Sequence, residues 1–146
     1  MLILVPLPDF SKSMRVMDYV GLKKQRVETY QILKCLEKPK AWKHHPSVQM
    51  WTGYQEALKQ YYNESVMEWI RRGHPNNMQL KPVNRHKMVM PEWWGQTDIH
   101  ASHRAALLAS NPEWYARFGW PEAPKVDYVW PNSITTESDL NASSFL

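Results

Sequence analysis

Three clusters in this chain carry side chains able to move protons or hold phosphates. The first is Lys23-Lys24-Gln25-Arg26-Val27-Glu28, the second Ile99-His100-Ala101-Ser102-His103-Arg104, the third Asn111-Pro112-Glu113-Trp114-Tyr115-Ala116-Arg117-Phe118-Gly119. A further pair, His44-His45, stands just before a segment that begins at Pro46. Cations grip phosphates, a carboxylate or imidazole exchanges protons, and aromatic rings stack on bases. Lys24 and Glu28 are four residues apart and share a helix face, while Arg26 points about 160° away from Lys24. His100, His103 and Arg104 fall on one helical edge by the same spacing. Lys24, Gln25, Arg26 and Arg104 are thus candidates to contact DNA phosphates, and Trp114 or Tyr115, beside Arg117, to contact bases. Glu28, His44, His45, His100 and His103 are the candidates for acid–base work. Each has a plainer alternative: a Lys24–Glu28 surface pair worth a few tenths of a kcal/mol, structural histidines, and core aromatics at Trp114 and Phe118. The two histidine pairs lack a recognised zinc-ligand spacing, and no cysteine or acidic pattern completes them. No metal and no cofactor is expected.

The charge distribution supports a polyanionic partner. The 146 residues carry a formal +4, but residues 12–43 hold nine Lys/Arg against three Asp/Glu, and residues 71–104 hold six against two. The remainder is acidic, so positive charge sits in two blocks that can converge on phosphates. Eight Trp and seven Tyr add large stacking surfaces to what is otherwise ordinary core material. The single cysteine, Cys35, rules out an internal disulfide and fits a reducing compartment. Met1-Leu2-Ile3-Leu4-Val5 is apolar, but Pro6 and Pro8 interrupt it and no basic stretch precedes it, so it reads as neither signal peptide nor membrane span. The expected location is the cytoplasm, with no membrane contact.

The elements that must position these groups read as helices. Residues 1–10 look extended, Ser11 is the expected N-cap of a short helix, and Gly21 marks a break before a longer helix from Leu22 to Glu37. A second long helix is expected from Pro46 to Arg72, capped by Gly73, with Val48, Trp51, Leu58, Tyr62, Val66 and Trp69 as its apolar stripe. Residues 74–95 read as a long functional or mobile loop. A third helix starts at Thr97 or Asp98 as N-cap, Pro112 opens a short last helix closed by Gly119, and residues 126–131 look extended. The expectation is an all-α, compact single domain over residues 1–131, with three main helices, a short C-terminal helix and long loops. The polar tail, residues 132–146, is expected to be disordered.

Several of these segments resemble the pyrimidine-dimer DNA glycosylase (endonuclease V-like) family. Pro112-x-Trp114-Tyr115-x-x-Phe118-Gly119 is similar to the family's Pro-x-Trp-Tyr-x-Tyr-Tyr-Gly, and His100-Ala101-Ser102 precedes it at a similar distance. Arg26-Val27 and the helix ending Arg71-Arg72-Gly73 also correspond. A bacterial and phage subgroup of the family is more similar still. It shares Pro8-Asp9-Phe10, Leu22-x-Lys24-Gln25-Arg26-Val27-Glu28, His45-Pro46-x-Val48-x-Met50-Trp51, His100-x-Ser102-His103-Arg104 and Tyr128-Val129-Trp130-Pro131.

The resemblance implies an all-α fold that binds double-stranded DNA, flips a nucleotide and cleaves its glycosidic bond. In the family the nucleophile is the N-terminal α-amine, assisted by a glutamate of the first helix, and elimination then nicks the strand. The α-amine suits this because its ordinary pKa, about 7.7–8.0, leaves part of it unprotonated at neutral pH. This chain departs at two places. Leu2 follows Met1, so Met1 itself would supply the amine, and alignment on Arg26 sets Lys23 where the family has its glutamate. Met1, Lys23 and Lys24 are therefore the candidate nucleophiles of a base-excision enzyme with an abasic-site lyase step. Two rivals stand beside it: a non-catalytic binder of DNA or of a host protein, and a histidine-dependent metal nuclease.

Overall fold

A computed structural model describes residues 2–38, 44–132 and 134. Asp9, not Ser11, starts the first helix: its carboxylate accepts from the Lys12 amide at 2.7 Å, so α1 spans Phe10–Val16 and contains Ser11. The break expected at Gly21 lies earlier, at Met17 and Asp18. Asp18 caps α2 (Tyr19–Glu37) by accepting from the Gly21 amide at 3.0 Å. Gly21 sits inside the first turn for a steric reason. A Cβ there would lie 2.6 Å from Asp18 Oδ1 and 3.2 Å from the Tyr115 hydroxyl.

The long helix expected from Pro46 to Arg72 is two helices. α3 (Pro46–Trp51) and α4 (Gln55–Arg71) are separated at Thr52, Gly53 and Tyr54, where Gly53 takes φ 88° and Thr52 is extended. The apolar stripe spans this interruption and is buried throughout, which is why spacing alone suggested one helix. Gly73, as expected, follows the last turn with φ 87°. α5 (Thr97–Ser110) and α6 (Pro112–Tyr115) follow, then a single 3-10 turn at Ala116–Phe118 that Gly119 ends with φ 66°.

α2 and α4 form the principal helix pair, α1 lies across α4, and α6 packs on the end of α5. Between them Trp51, Tyr61, Trp93, Met50 and Leu58 make the centre of the core. Among the described residues there is no strand, so the fold is all-α as expected. No helix among them is long and apolar enough to cross a membrane. Residues 74–95 form no helix beyond isolated turns, yet much of this stretch is fastened down. Trp69 Nε1 donates to the Pro75 carbonyl, the Tyr62 hydroxyl to that of Gln79, and Asn63 makes two bonds with the Lys81 backbone, all at 2.7–2.8 Å. Trp93 anchors the far end, 1% exposed, with its indole N–H on the Met50 carbonyl. The tail expectation falls almost wholly outside the described residues, although Ile134 is buried in the core.

The N-terminal segment behaves as a strand without a sheet. Ile3 and Val5 are fully buried, and backbone groups buried in this way need partners. Side chains from four helices supply them. Gln25 Oε1 accepts from the Leu4 amide at 2.8 Å, and Gln25 Nε2 donates to the Leu2 carbonyl at 3.2 Å. The Tyr61 hydroxyl lies 2.7 Å from the Leu4 carbonyl and 2.8 Å from Gln25 Oε1. Ser13 brackets Leu7 through both its amide and its carbonyl. Val5 is held by α5, as described next.

Candidate active site

The held N-terminal segment forms one wall of a cavity of about 580 Å3. Leu2 and Leu4 face the N-terminal half of α2, which contributes Lys24, Gln25 and Glu28. The C-terminal end of α5 and the extended segment at Val126 and Tyr128 complete the enclosure. Its volume lies within the range of about 300–1,000 Å3 usual for small-molecule pockets. One turn of helix brings the Lys24 ammonium and the Glu28 carboxylate to the same wall, as their spacing predicts. Lys23 is exposed and is not part of it. Met1 lies outside the described residues, although Leu2, to which it is joined, is on the wall.

The His100–Arg104 motif shapes this cavity from behind. His100 Nδ1 donates to the Val5 carbonyl at 2.7 Å, and its Nε2 accepts from the Gly95 amide at 3.0 Å. His103 Nδ1 accepts from the Val5 amide at 2.9 Å. These bonds require both rings to be neutral. Burial pushes His103 down to about 3, helped by the neighbouring His100, and burial lowers His100 as well. Ser102 Oγ accepts from the Val129 amide at 3.0 Å, fixing the segment that carries Tyr128. Arg104 binds Glu122 and donates to the Pro6 carbonyl at 2.8 Å. One motif therefore fastens the two extended segments that contribute to the cavity lining.

The structure places the other sequence-based candidates as follows. His100 and His103 are buried, and both rings are bonded to the Val5 backbone. Arg104 is engaged with Glu122 and the Pro6 carbonyl. Gln25 is 4% exposed and holds Leu2 and Leu4. Arg26 is 8% exposed, lies 4.2 Å over the Trp69 ring and contacts Met78 Sδ, so it too is packed away from solvent. Tyr115 is fully buried. Its hydroxyl donates to Asp18 Oδ1 at 2.8 Å and accepts from the Asp18 amide, docking the C-terminal motif on the start of α2. Asn111 Nδ2 reaches the other Asp18 oxygen at 3.0 Å. Trp114 is half-buried, with its indole on the Val16 carbonyl, and the exposed Arg117 guanidinium stacks 3.8 Å above it.

The other two candidate histidines, His44 and His45, precede α3. His44 is exposed. His45 caps α3, its Nδ1 accepting from the Ser47 amide at 3.3 Å. Burial lowers its pKa while the Glu28 carboxylate pulls the other way, so α3 and the cavity's carboxylate are within electrostatic reach. Among the described residues, no three His, Cys, Asp or Glu side chains gather as a metal-binding set. Of the four histidines on which a metal nuclease would depend, His100 and His103 adjoin one another at Val5, His45 caps α3 and His44 is exposed. Tyr128 was missed as a site residue by sequence reasoning, although its Tyr-Val-Trp-Pro segment stood out; burial at the cavity edge raises its phenol pKa.

Chemically, the cavity combines one exposed cation, Lys24, with two carboxylates, Asp18 and Glu28, and the Tyr128 phenol among apolar side chains. Its size and apolar surface suit a flat, partly apolar group. The exposed face of α2 beside it carries Lys23, Lys24 and Lys34 together with Val20 and Val27, a surface on which a phosphate backbone can rest. A family model described as pyrimidine dimer DNA glycosylase matches residues 1–82, which include the N-terminal wall, α2 and α4. No curated protein and no solved structure matches the chain.

Proposed function

The chain belongs to the pyrimidine dimer DNA glycosylase family, and from that premise we propose that it excises a damaged or modified pyrimidine from double-stranded DNA. The observation that carries the proposal is the cavity that joins the N-terminal segment to Lys24 and Glu28. The lysine-bearing face of α2 holds the backbone, and the target nucleotide turns out of the stack into the cavity. An unprotonated amine attacks C1′ of the sugar, and the glycosidic pair of electrons leaves with the base, which takes up a proton. The attached amine loses a proton, the C1′–O4′ bond breaks with O4′ taking up a proton, and the iminium so formed is hydrolysed or undergoes elimination.

Two amines are candidates. Lys24 is on the cavity wall. An α-amine at Met1, with an ordinary pKa of about 7.7–8.0, is the better nucleophile. Glu28 takes the role that the family gives to a glutamate five positions earlier in the helix. It stabilises the cationic sugar and moves the proton that the elimination releases. Tyr128 adds an aromatic ring to the cavity lining.

The test is base release from duplexes carrying cyclobutane dimers or modified pyrimidines, read by mass spectrometry. Release by the wild type and its loss in Glu28→Gln, with duplex binding retained, is the expected result. Tight duplex binding with no release from any substrate would instead make the protein a DNA binder that keeps the fold without the chemistry.

A further inference from the structure

A second groove lies on the other flank of α2. It has a volume of about 550 Å3 and is formed by Tyr30 of α2, Tyr62 of α4 and the fastened segment from Asn77 to Pro82. Successive helix positions turn by 100°, so Tyr30 is on nearly the opposite side of α2 from Gln25 and Glu28. The exposed lysine face runs between the two depressions. The groove is held in shape by the bonds from Tyr62 to Gln79 and from Asn63 to Lys81.

Its chemistry is that of an aromatic floor under positive charge. The Tyr30 and Tyr62 rings are 6.2 Å apart. The Lys34 ammonium lies 4.8 Å from the centre of the Tyr30 ring, and the Lys81 ammonium lies 5.2 Å and 5.7 Å from the centres of Tyr30 and Tyr62. None of the ion pairs among the described residues involves Lys34 or Lys81. Beneath them is a third cation. Arg26 is 8% exposed, its Nη1 touches Met78 of the groove wall at 2.9 Å, and its buried Nε has no hydrogen-bond partner. Two exposed amides, Asn77 and Gln79, stand at the rim. A cluster of three cations without a carboxylate is matched by an anion. An aromatic floor with amides at its rim is matched by a flat heterocycle.

We propose that this groove binds an unpaired nucleotide of single-stranded DNA, with its base against Tyr30 and its phosphates at Lys34 and Lys81. A base within a duplex keeps both faces covered by its neighbours, so only an unpaired one can meet the ring. The ammonium groups that now cover the ring move to the phosphates when the base replaces them. The basic face of α2 lets the same strand continue toward the cavity. This site is independent of the chemistry proposed above, because it is read by binding alone.

The experiment measures binding of a labelled oligothymidylate, and of an equally long oligomer of tetrahydrofuran spacers, by fluorescence anisotropy over a range of salt. Stacking on one ring is worth roughly 1–3 kcal/mol per base, so Tyr30→Ala should weaken oligothymidylate binding by about 5- to 150-fold. Tyr30→Phe should bind as the wild type does. Lys81→Ala should reduce the salt slope by roughly 0.7; Lys81 bonds Asn63 only through its backbone, so the groove keeps its shape. The spacer oligomer should bind more weakly and be indifferent to Tyr30→Ala. Duplex binding, unchanged in all three variants, reports that they are folded. Equal affinity for the two oligomers, or oligothymidylate binding unaffected by both Tyr30→Ala and Lys81→Ala, would overturn the proposal.

Discussion

Glu28 and Lys24 stand one helical turn apart on the same cavity wall, and their opposite charges separate their tasks. The carboxylate can move a proton or steady a cationic sugar; the ammonium can hold a phosphate. Glu28→Gln removes proton transfer but keeps the size of the side chain, so base release should fall by roughly 10²–10⁴-fold. Its duplex affinity should stay near wild type in the same titration; a parallel loss of binding would show that Glu28 is structural. Lys24→Ala should lower the slope of log affinity against log salt by roughly 0.9 if one phosphate contact is lost. An unchanged slope removes Lys24 from the interface. The shared face of this pair was legible from its four-residue spacing. Which of the chain's other cations and imidazoles were free was not, because that depends on partners distant in sequence. Arg104 meets Glu122, and His103 meets Val5, 98 residues away.

At the scale of elements, α5 acts as a bracket between the N-terminal segment and the segment carrying Tyr128. The neutral rings of His100 and His103 are integral to that bracket, which gives the fold an acid sensitivity with a definite sign. His103 is pushed down to about 3 in the fold from an ordinary value of 6.5. Its contribution is therefore complete above about pH 6.5 and is lost progressively as pH falls toward 3. Across that window each pH unit shifts the folding equilibrium by roughly tenfold per such histidine. Melting curves at pH 7 and pH 4.5 should show a clear drop, larger than in His103→Gln; equal drops in both proteins would contradict the role given to the ring. Gly21 makes a second structural prediction. Gly21→Ala sets a methyl against Asp18 and Tyr115, where overpacking typically costs about 1–3 kcal/mol; an unaltered melting temperature would argue against that docking. Sequence reading located these elements well where a cap or proline marks them, as at Pro46, Pro112 and Gly119. It misjudged Gly21, whose need for a bare Cα arises from the capping Asp18 carboxylate and, less closely, from Tyr115, and it ran α3 and α4 together because one apolar stripe continues across Gly53.

Over the whole molecule, the two extended segments, α2 and α5 enclose a cavity beside a lysine-bearing face. The two basic blocks were legible as charge runs, but their use was not. The second block contains Arg71 and Arg72, both bound to Glu68, and Arg104, bound to Glu122. Its net charge thus overstated the cations free for DNA, whereas the lysines of α2 remain exposed. All-α architecture was legible from helical periodicity, and so was the extended N-terminal segment; its hydrogen-bond partners were not, since they are side chains of four helices. Leu2 of that segment lines the cavity with Glu28 and Lys24, and the proposed chemistry rests on an amine meeting a sugar there. The most direct measurement is borohydride trapping on duplexes containing a cyclobutane dimer or an abasic site, with the modified peptide mapped by mass spectrometry. The account predicts a covalent adduct on the peptide beginning at Met1, persisting in Lys24→Ala. Absence of any adduct from the wild type, on either DNA and under conditions where the duplex is bound, would contradict it.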